Sequence, residues 1–170
     1  MCIRDSQLTE EVTIYLVDPS AGEPLLRAVT RQVPVVDSGA DLEFLILGQL
    51  LEGPTEEEQF DDDLSTRIIP AGDEPIAVLA KSTPIEGQLA IVLSEAPGGA
   101  IEGDGRTVAF AQIVFTLTEI DGIDRVRFLV RDEDGVDVDI PVRTDTDEGD
   151  VTRAVGREDY STLVPISFQN

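Results

Sequence analysis

The side chains of this protein that could do chemistry are nearly all carboxylates. Asp132, Asp134, Asp137 and Asp139 surround Gly135, a grouping that would offer oxygen ligands to a hard cation such as calcium. The ligand order of an EF-hand loop and its terminal bidentate Glu are missing, however. If Gly135 closes a hairpin, Asp137 and Asp139 simply occupy the solvent face, alternating with Val136, Val138 and Ile140. Asp61, Asp62 and Asp63 form a second acidic run, but three adjacent carboxylates cannot all turn toward one ion, so a solvated loop is the simpler account. Lys81 and Ser82 would suit a catalytic dyad only if they converged, and neighbours on a strand point to opposite faces. The glycines between Ser94 and Gly105 invite comparison with a phosphate loop. Neither the GxGxxG spacing nor a following Gly-Lys-Ser/Thr is present, and the local charge is negative, so nucleotide binding is rejected.

Other reagents are scarce. The chain has no histidine, the usual proton shuttle near neutral pH, and Cys2 is its only cysteine, so an internal disulfide is impossible and zinc, haem or thiol chemistry has almost no ligands. A paired-carboxylate hydrolase is not excluded by counting, but without Trp, and with only Tyr15 and Tyr160, there are few aromatic platforms for a sugar chain. No catalytic, cofactor-binding or metal-ligating residue is nominated, no cofactor is expected, and the chain is read as a non-enzyme. Thirty-five acidic against twelve basic residues give a net charge of −23, which repels phosphate backbones and anionic lipid surfaces. Partners are therefore expected to be neutral or basic, with no nucleic acid among them. A hydrophobic content of 41% excludes wholesale disorder, and 170 residues suit one domain burying on the order of 70% of its unfolded surface.

The elements that must carry these residues follow from periodicity. Val12–Val17 is β-branched and aromatic, and Leu25–Val36 alternates in part, with Pro34 confining it to an edge or an end; together they predict a hairpin. From Asp41 to Leu51 the apolar residues Leu42, Phe44, Ile46, Leu47, Leu50 and Leu51 sweep one broad helical arc, leaving Gly48, Gln49 and Glu52 on the remainder. Ser38 followed by Asp41 marks the start of that helix, and Gly53-Pro54 marks its stop. Thr55 can cap a short acidic turn through Gln59, after which Phe60, Leu64, Ile68 and Ile69 are expected to pin the loop to the core. Ile76–Lys81 and Gln88–Leu93 predict adjacent antiparallel strands, their connection shaped by Pro84 and Gly87.

Thr107–Glu119 reads two ways. On strand spacing Ala109, Ala111, Ile113, Phe115 and Leu117 form an apolar face, whereas on helical spacing Gln112, Thr116 and Glu119 form one narrow polar stripe. Length, Asp104 or Thr107 as an N-cap and Gly122-Ile123 as a stop favour helix. Arg125–Arg131 alternates as a strand and leads through Asp134-Gly135 into Val136–Val142 as a hairpin. Val151–Leu163 begins a tail in which Tyr160, Leu163 and Ile166 can dock on the body. Two apolar helices need a sheet to cover them. The fold class is α+β: a two-layer sandwich with two helices on a mixed or antiparallel sheet, in the core order αββαβ, preceded by a β-hairpin and followed by a C-terminal hairpin.

The strings LLEGPTEEE and LSTRIIPAG, with VTIYLVD before them and AFAQIVFTLTEIDGIDRVRFLV and REDYSTL after, span roughly Val12 to Leu163. In this order they resemble the spore-germination GerM-type (GerMN) domain family. The resemblance implies an extracytoplasmic module of the bacterial cell envelope, found in lipoproteins linked to sporulation, germination or cell-wall processes. It also implies a protein partner there, with a homo-oligomer left open, and it supplies no catalytic motif to transfer. Its succession of elements is shared with ring-building modules of envelope-spanning secretion machines. A calcium- or small-ligand-binding secreted domain is the alternative, and a carboxylate-dependent hydrolase ranks last.

Residues 1–6, MCIRDS, are what a sequencing-library transposase end would encode in frame and are read as an adaptor artefact. Residues 7–170 are then one domain with a C-terminal tail. A lipidated Cys2 would need an apolar signal region ahead of it, and none stands there. On the artefact reading the domain does not itself insert into the membrane and is anchored through an N-terminal segment missing from this sequence, so location rests on the resemblance.

Overall fold

A computed structural model describes residues 8–19, 25–35, 39–68, 72–97 and 104–163. Strands β1 (Thr9–Asp18) and β2 (Leu25–Pro34) pair antiparallel over their whole length as a two-stranded sheet, Pro34 being the last residue, where its missing N–H costs least. Helix α1 (Gly39–Glu52) and the short α2 (Glu56–Asp61) follow. The second sheet has the order β3 (Val78–Lys81), β4 (Gln88–Leu93), β5 (Arg125–Arg131) and β6 (Asp137–Asp139), and a two-residue strand β7 (Val155–Gly156) also pairs with β5. The β4–β5 pairing is parallel and the others antiparallel. A parallel pair needs a crossover, and α3 (Asp104–Leu117) supplies it.

The α+β class, the order αββαβ and both flanking hairpins are present. The ambiguous segment is helical and carries the core. Every side chain from Thr107 to Leu117 is buried, because α3 packs against the β1–β2 hairpin on one side, through Tyr15 and Phe115, and against β5 on another. On that second side Phe110 meets Phe128 edge-on, with ring centroids 5.1 Å apart. The hairpin is a sheet of its own, packed against α1 and α3.

The expected stops are realised. Gly53 (φ +79°) and Gly122 (φ +90°) sit in the left-handed region that other residues enter only with strain; Gly53 N donates to Leu50 O, and Ile123, buried, donates to Ile120 O. At α2 the capping box is complete: Glu58 N donates to Thr55 Oγ1, and Thr55 N donates to the Glu58 carboxylate. Asp104 is the first helical residue of α3 and Thr107 is buried within it, so neither is the cap. The Ser38–Asp41 start signal, Ile69 and Ile166 lie outside the described side chains.

One loop residue departs from expectation. Leu64 and Ile68 are buried, but Phe60 is 82% exposed and anchors nothing. The ion pair from Arg31 of β2 to Glu58 fixes the orientation of α2, and the helix buries none of its own residues. The C-terminal segment closes on the body as a kinked 3₁₀ turn, Arg157–Leu163. Tyr160 at the kink is fully buried and its hydroxyl donates to Arg143 O.

Candidate functional site

Several of the carboxylates singled out in the sequence have local partners. In the β5–β6 hairpin Asp132 Oδ1 accepts from Asp134 N and Val136 N, tightening the turn at Gly135 (φ +79°). Asp137 lies across the strand pair from Arg131, Asp139 reaches Arg127 on the diagonal, and each binds its arginine through both oxygens. Each arginine holds its aspartate below the usual carboxylate range. Asp61, Asp62 and Asp63 are exposed at the end of α2, where Asp62 lies 3.8 Å from Arg27. Among the described residues, no three His, Cys, Asp or Glu gather as a metal site would require. Lys81 and Ser82 diverge: Ser82 Oγ accepts from Ala90 N inside the sheet, whereas Lys81 reaches Glu43 on α1.

Two of the concavities formed by the described residues bear on function. One is a cleft of about 430 Å³ at the C-terminal end of α3, lined by Thr118, Glu119, Ile123, Asp124, Arg157 and Glu158. Helix α3 has no basic residue in its last turn to meet its outward carbonyls, and Arg157 from the closing segment does so. Its Nη2 donates to Phe115 O at 3.0 Å and to Glu119 at 2.7 Å, its Nε donates to Thr118 Oγ1 at 2.7 Å, and its guanidinium lies 4.9 Å from the Phe115 ring centre. The Tyr15 hydroxyl donates to the same Glu119 carboxylate. Burial alone would raise Glu119, but these donors outweigh it and hold the acid below its ordinary value. Burial, then the Glu119 partner, pushes Tyr15 well above the usual phenol range. A carboxylate pinned ionised and a phenol pinned protonated are poor proton shuttles at neutral pH. The cluster is a clasp holding hairpin, helix and tail together.

The same polar stripe seals a sheet edge. Tyr15 N donates to Thr116 Oγ1, and Gln112 Nε2 donates to Tyr15 O while its Oε1 accepts from Arg67 N at 2.8 Å. Two residues along β1, Val17 exchanges both backbone hydrogen bonds with Ser65. The outward backbone groups of β1 at Tyr15 and Val17 thus find partners within the molecule.

The second concavity is apolar. It measures about 360 Å³ and runs between α1 and the extended residues leading into β3, with Phe44, Gly48, Leu51, Pro75, Ile76 and Val78 on its walls. The aromatic ring of Phe44 is among its walls although the residue is 39% exposed, and Leu79 on neighbouring β3 is 43% exposed. A Cβ added to Gly48 would meet nothing within 4 Å. Glycine in a helix interior costs about 1 kcal/mol relative to alanine, and no described neighbour crowds this one to explain the cost. Beneath Phe44, Lys81 and Glu43 form a nearly fully buried pair at 3.6 Å, too long for a hydrogen bond, and Lys81 Nζ lies 5.6 Å from the Phe44 ring centre. Glu43 Oε2 has no hydrogen-bond partner.

Sequence reasoning found the stripe Gln112–Thr116–Glu119 but not its use, and it missed Arg157 and the Glu43–Lys81 pair. A signal existed for the latter: Lys81 is the only lysine, on a predicted strand otherwise apolar. For the groove, the apolar arc of α1 was visible, but which part of it stays open was not.

Comparison with known proteins follows from this geometry. A family model described as Germane, "Sporulation and spore germination", matches residues 13–136, from β1 to the β5–β6 turn, so the clasp segment Arg157–Leu163 lies outside the match. The first GerMN domain of the sporulation protein GerM from Bacillus subtilis is similar in fold at 17% identity and TM-score 0.57, covering 88% of this chain and 99% of that one. The tandem GerMN domains of the same protein match at 16% identity and TM-score 0.56 over 89% of this chain, which spans about half, 47%, of their length. A putative lipoprotein from Clostridium perfringens matches at 16% identity and TM-score 0.51, covering 96% of this chain and 97% of that one. No curated protein matches the chain.

Proposed function

The chain belongs to the Germane family of sporulation and spore-germination domains, and from that premise we propose that it is a non-catalytic binding or assembly module of the bacterial cell envelope. In this reading residues 7–170 form one GerMN-type domain with a C-terminal tail, carried outside the cytoplasm by a membrane-anchored lipoprotein, and the domain contacts a protein partner noncovalently. The likeness in fold to a putative lipoprotein supports that placement. Among the described residues no helix is long and apolar enough to cross a membrane.

The observation that carries the proposal is the open apolar face of α1. The apolar face of a helix is normally covered, yet Phe44 and Gly48 face solvent. In the polar cleft, by contrast, Glu119 is held below its ordinary value by Tyr15 and Arg157, which suits a clasp better than an active site. The hairpin carboxylates Asp132, Asp137 and Asp139 are tied to turn amides or to an arginine, which favours the hairpin over the calcium reading.

Envelope cross-linking in the native host, with identification of the captured proteins, tests the proposal. Envelope proteins should be recovered; a catch consisting only of soluble metabolic enzymes would sink it.

A further inference from the structure

We infer that the groove between α1 and β3 binds a short segment of the partner protein in which an apolar, preferably aromatic, anchor is flanked by arginine or lysine. The inference rests on the envelope-partner reading above and names the surface and the chemistry of what it binds.

Three observations converge on this occupant. The first is the gap over Gly48: the groove floor is a helix backbone with no side chain and nothing within 4 Å of where one would begin. A bulky anchor can therefore lie directly on the helix, in contact with the flanks of Phe44 and Leu51. Such anchors, seated in pockets and shielded from water, dominate the energetics of protein interfaces.

The second is charge. Glu52 stands on the groove wall, and the exposed Asp73 and Glu74 immediately precede Pro75 at its rim. The nearest cation, Lys81, is already spent on Glu43. Most of the described arginines elsewhere are drawn into intramolecular pairs, as with Arg127 and Asp139 or Arg153 and Asp159. The field around an apolar groove is thus negative, and the complementary occupant is apolar at its centre and basic at its ends. A second copy of this chain would bring a net charge of −23 to the same place, and an anionic bilayer would be repelled.

The third is the state of the sheet edges. The β1 edge is sealed by Thr116, Gln112 and Ser65; the outer edge of β2 ends at Pro34; β6 is three residues long and carries the Arg–Asp pairs. At β3, which borders the groove, no described strand pairs the outer edge, and its irregular register leaves Leu79 exposed. Of the outer edges that no described strand pairs, that of β3 is the one beside the groove.

Gly48→Trp tests the inference. The chain has no other tryptophan, so an indole seated in the groove reports itself by blue-shifted emission, and with open space above Gly48 the thermal midpoint should be retained. Random peptides of about 12 residues displayed against the wild-type chain should yield binders with an aromatic or aliphatic centre and basic flanks. Their affinity, read by fluorescence anisotropy, should fall about tenfold or more in Gly48→Trp and several-fold between about 50 and about 500 mM NaCl. Gly48→Ala should leave affinity nearly intact while raising the thermal midpoint. If Gly48→Trp does not fold, Phe44→Lys, at a residue already part-exposed, should produce the same loss.

Binders that lack basic residues, or that bind Gly48→Trp as well as wild type, would overturn the inference. So would concentration-dependent self-association abolished by Gly48→Trp, or binding of the wild-type chain to phosphatidylcholine vesicles. A Gly48→Trp chain that still captures the wild-type set of envelope proteins defeats the groove assignment alone. A wild-type chain recovered only with soluble enzymes defeats the envelope reading.

Discussion

Helices α1 and α3 are alike in sequence and opposite in fate. Each is 14 residues long and apolar over most of its circumference, broken by a few polar or small positions. In α3 those positions are consumed internally: Gln112 and Thr116 satisfy the backbone of Tyr15, Glu119 just past the helix end takes the Tyr15 hydroxyl and Arg157, and every side chain from Thr107 to Leu117 is buried. In α1 the comparable break, Gly48, opens outward beside a part-exposed phenylalanine. A polar break that meets an unsatisfied sheet edge becomes a seam, and a small break that meets nothing becomes a groove.

The comparison is broken most directly by trimming one aromatic ring from each helix. Phe110→Ala should cost about 3–5 kcal/mol, since the ring is fully buried against Phe128, whereas Phe44→Ala should cost about 1 kcal/mol or less. Urea unfolding of the two variants measures the gap, and equal losses would mean that α1 is as enclosed as α3.

Next in size is the charge pair under the groove. Lys81→Met leaves Glu43 buried without its cation and should cost about 3 kcal/mol, while the double variant Lys81→Met with Glu43→Leu should regain most of that. A double-mutant cycle by chemical denaturation checks it. Additive losses would show that the two groups do not act as a pair.

Gln112→Ala should cost about 1–3 kcal/mol by stripping partners from Tyr15 O and Arg67 N in the seam. Hydrogen exchange at Arg67 would rise, and no such rise would mean that another group seals the edge.

The smallest and most graded effect is on pH. Glu58, Glu119 and Asp159 all have folded values below their ordinary ones. For Glu58 the Arg31 hydrogen bond is the main cause; for Glu119 and Asp159 burial opposes the shift and the arginine and other donors overcome it. Depressed acids stabilise the fold above their unfolded values, so stability should decline as pH falls below about 4. Exposure of roughly a third makes Glu119 the weakest contributor of the three. Tyr15 and Tyr160 are raised chiefly by burial, so their contribution holds below about pH 10 and is lost above it. Urea midpoints from pH 3 to 11 trace both limbs, and a flat acid limb would mean that these pairs contribute nothing.

The candidate site was legible only in part. The apolar arc with Phe44 and Leu51, and Gly48 at its margin, could be read from spacing, as could the β5–β6 hairpin that disposes of Asp137 and Asp139. Phe60 was misread, because an aromatic residue in a polar loop looks like an anchor until the Arg31–Glu58 pair shows how the loop is held. The two-residue β7 offered no periodicity to detect.

By itself the sequence determined the class of fold, the order of elements, the helix stops at Gly53 and Gly122 and the net acidity of the chain. These are local or additive properties: period, backbone conformation and charge are written in neighbouring residues or in their sum. Only the tertiary structure decided that Arg157 would meet the carbonyl end of α3, that Lys81 would vanish beneath Phe44, and that α3 rather than α1 would be enclosed. Those outcomes join residues tens of positions apart. They depend on which surfaces the crossover and the hairpin bring together, and periodicity carries no information about that.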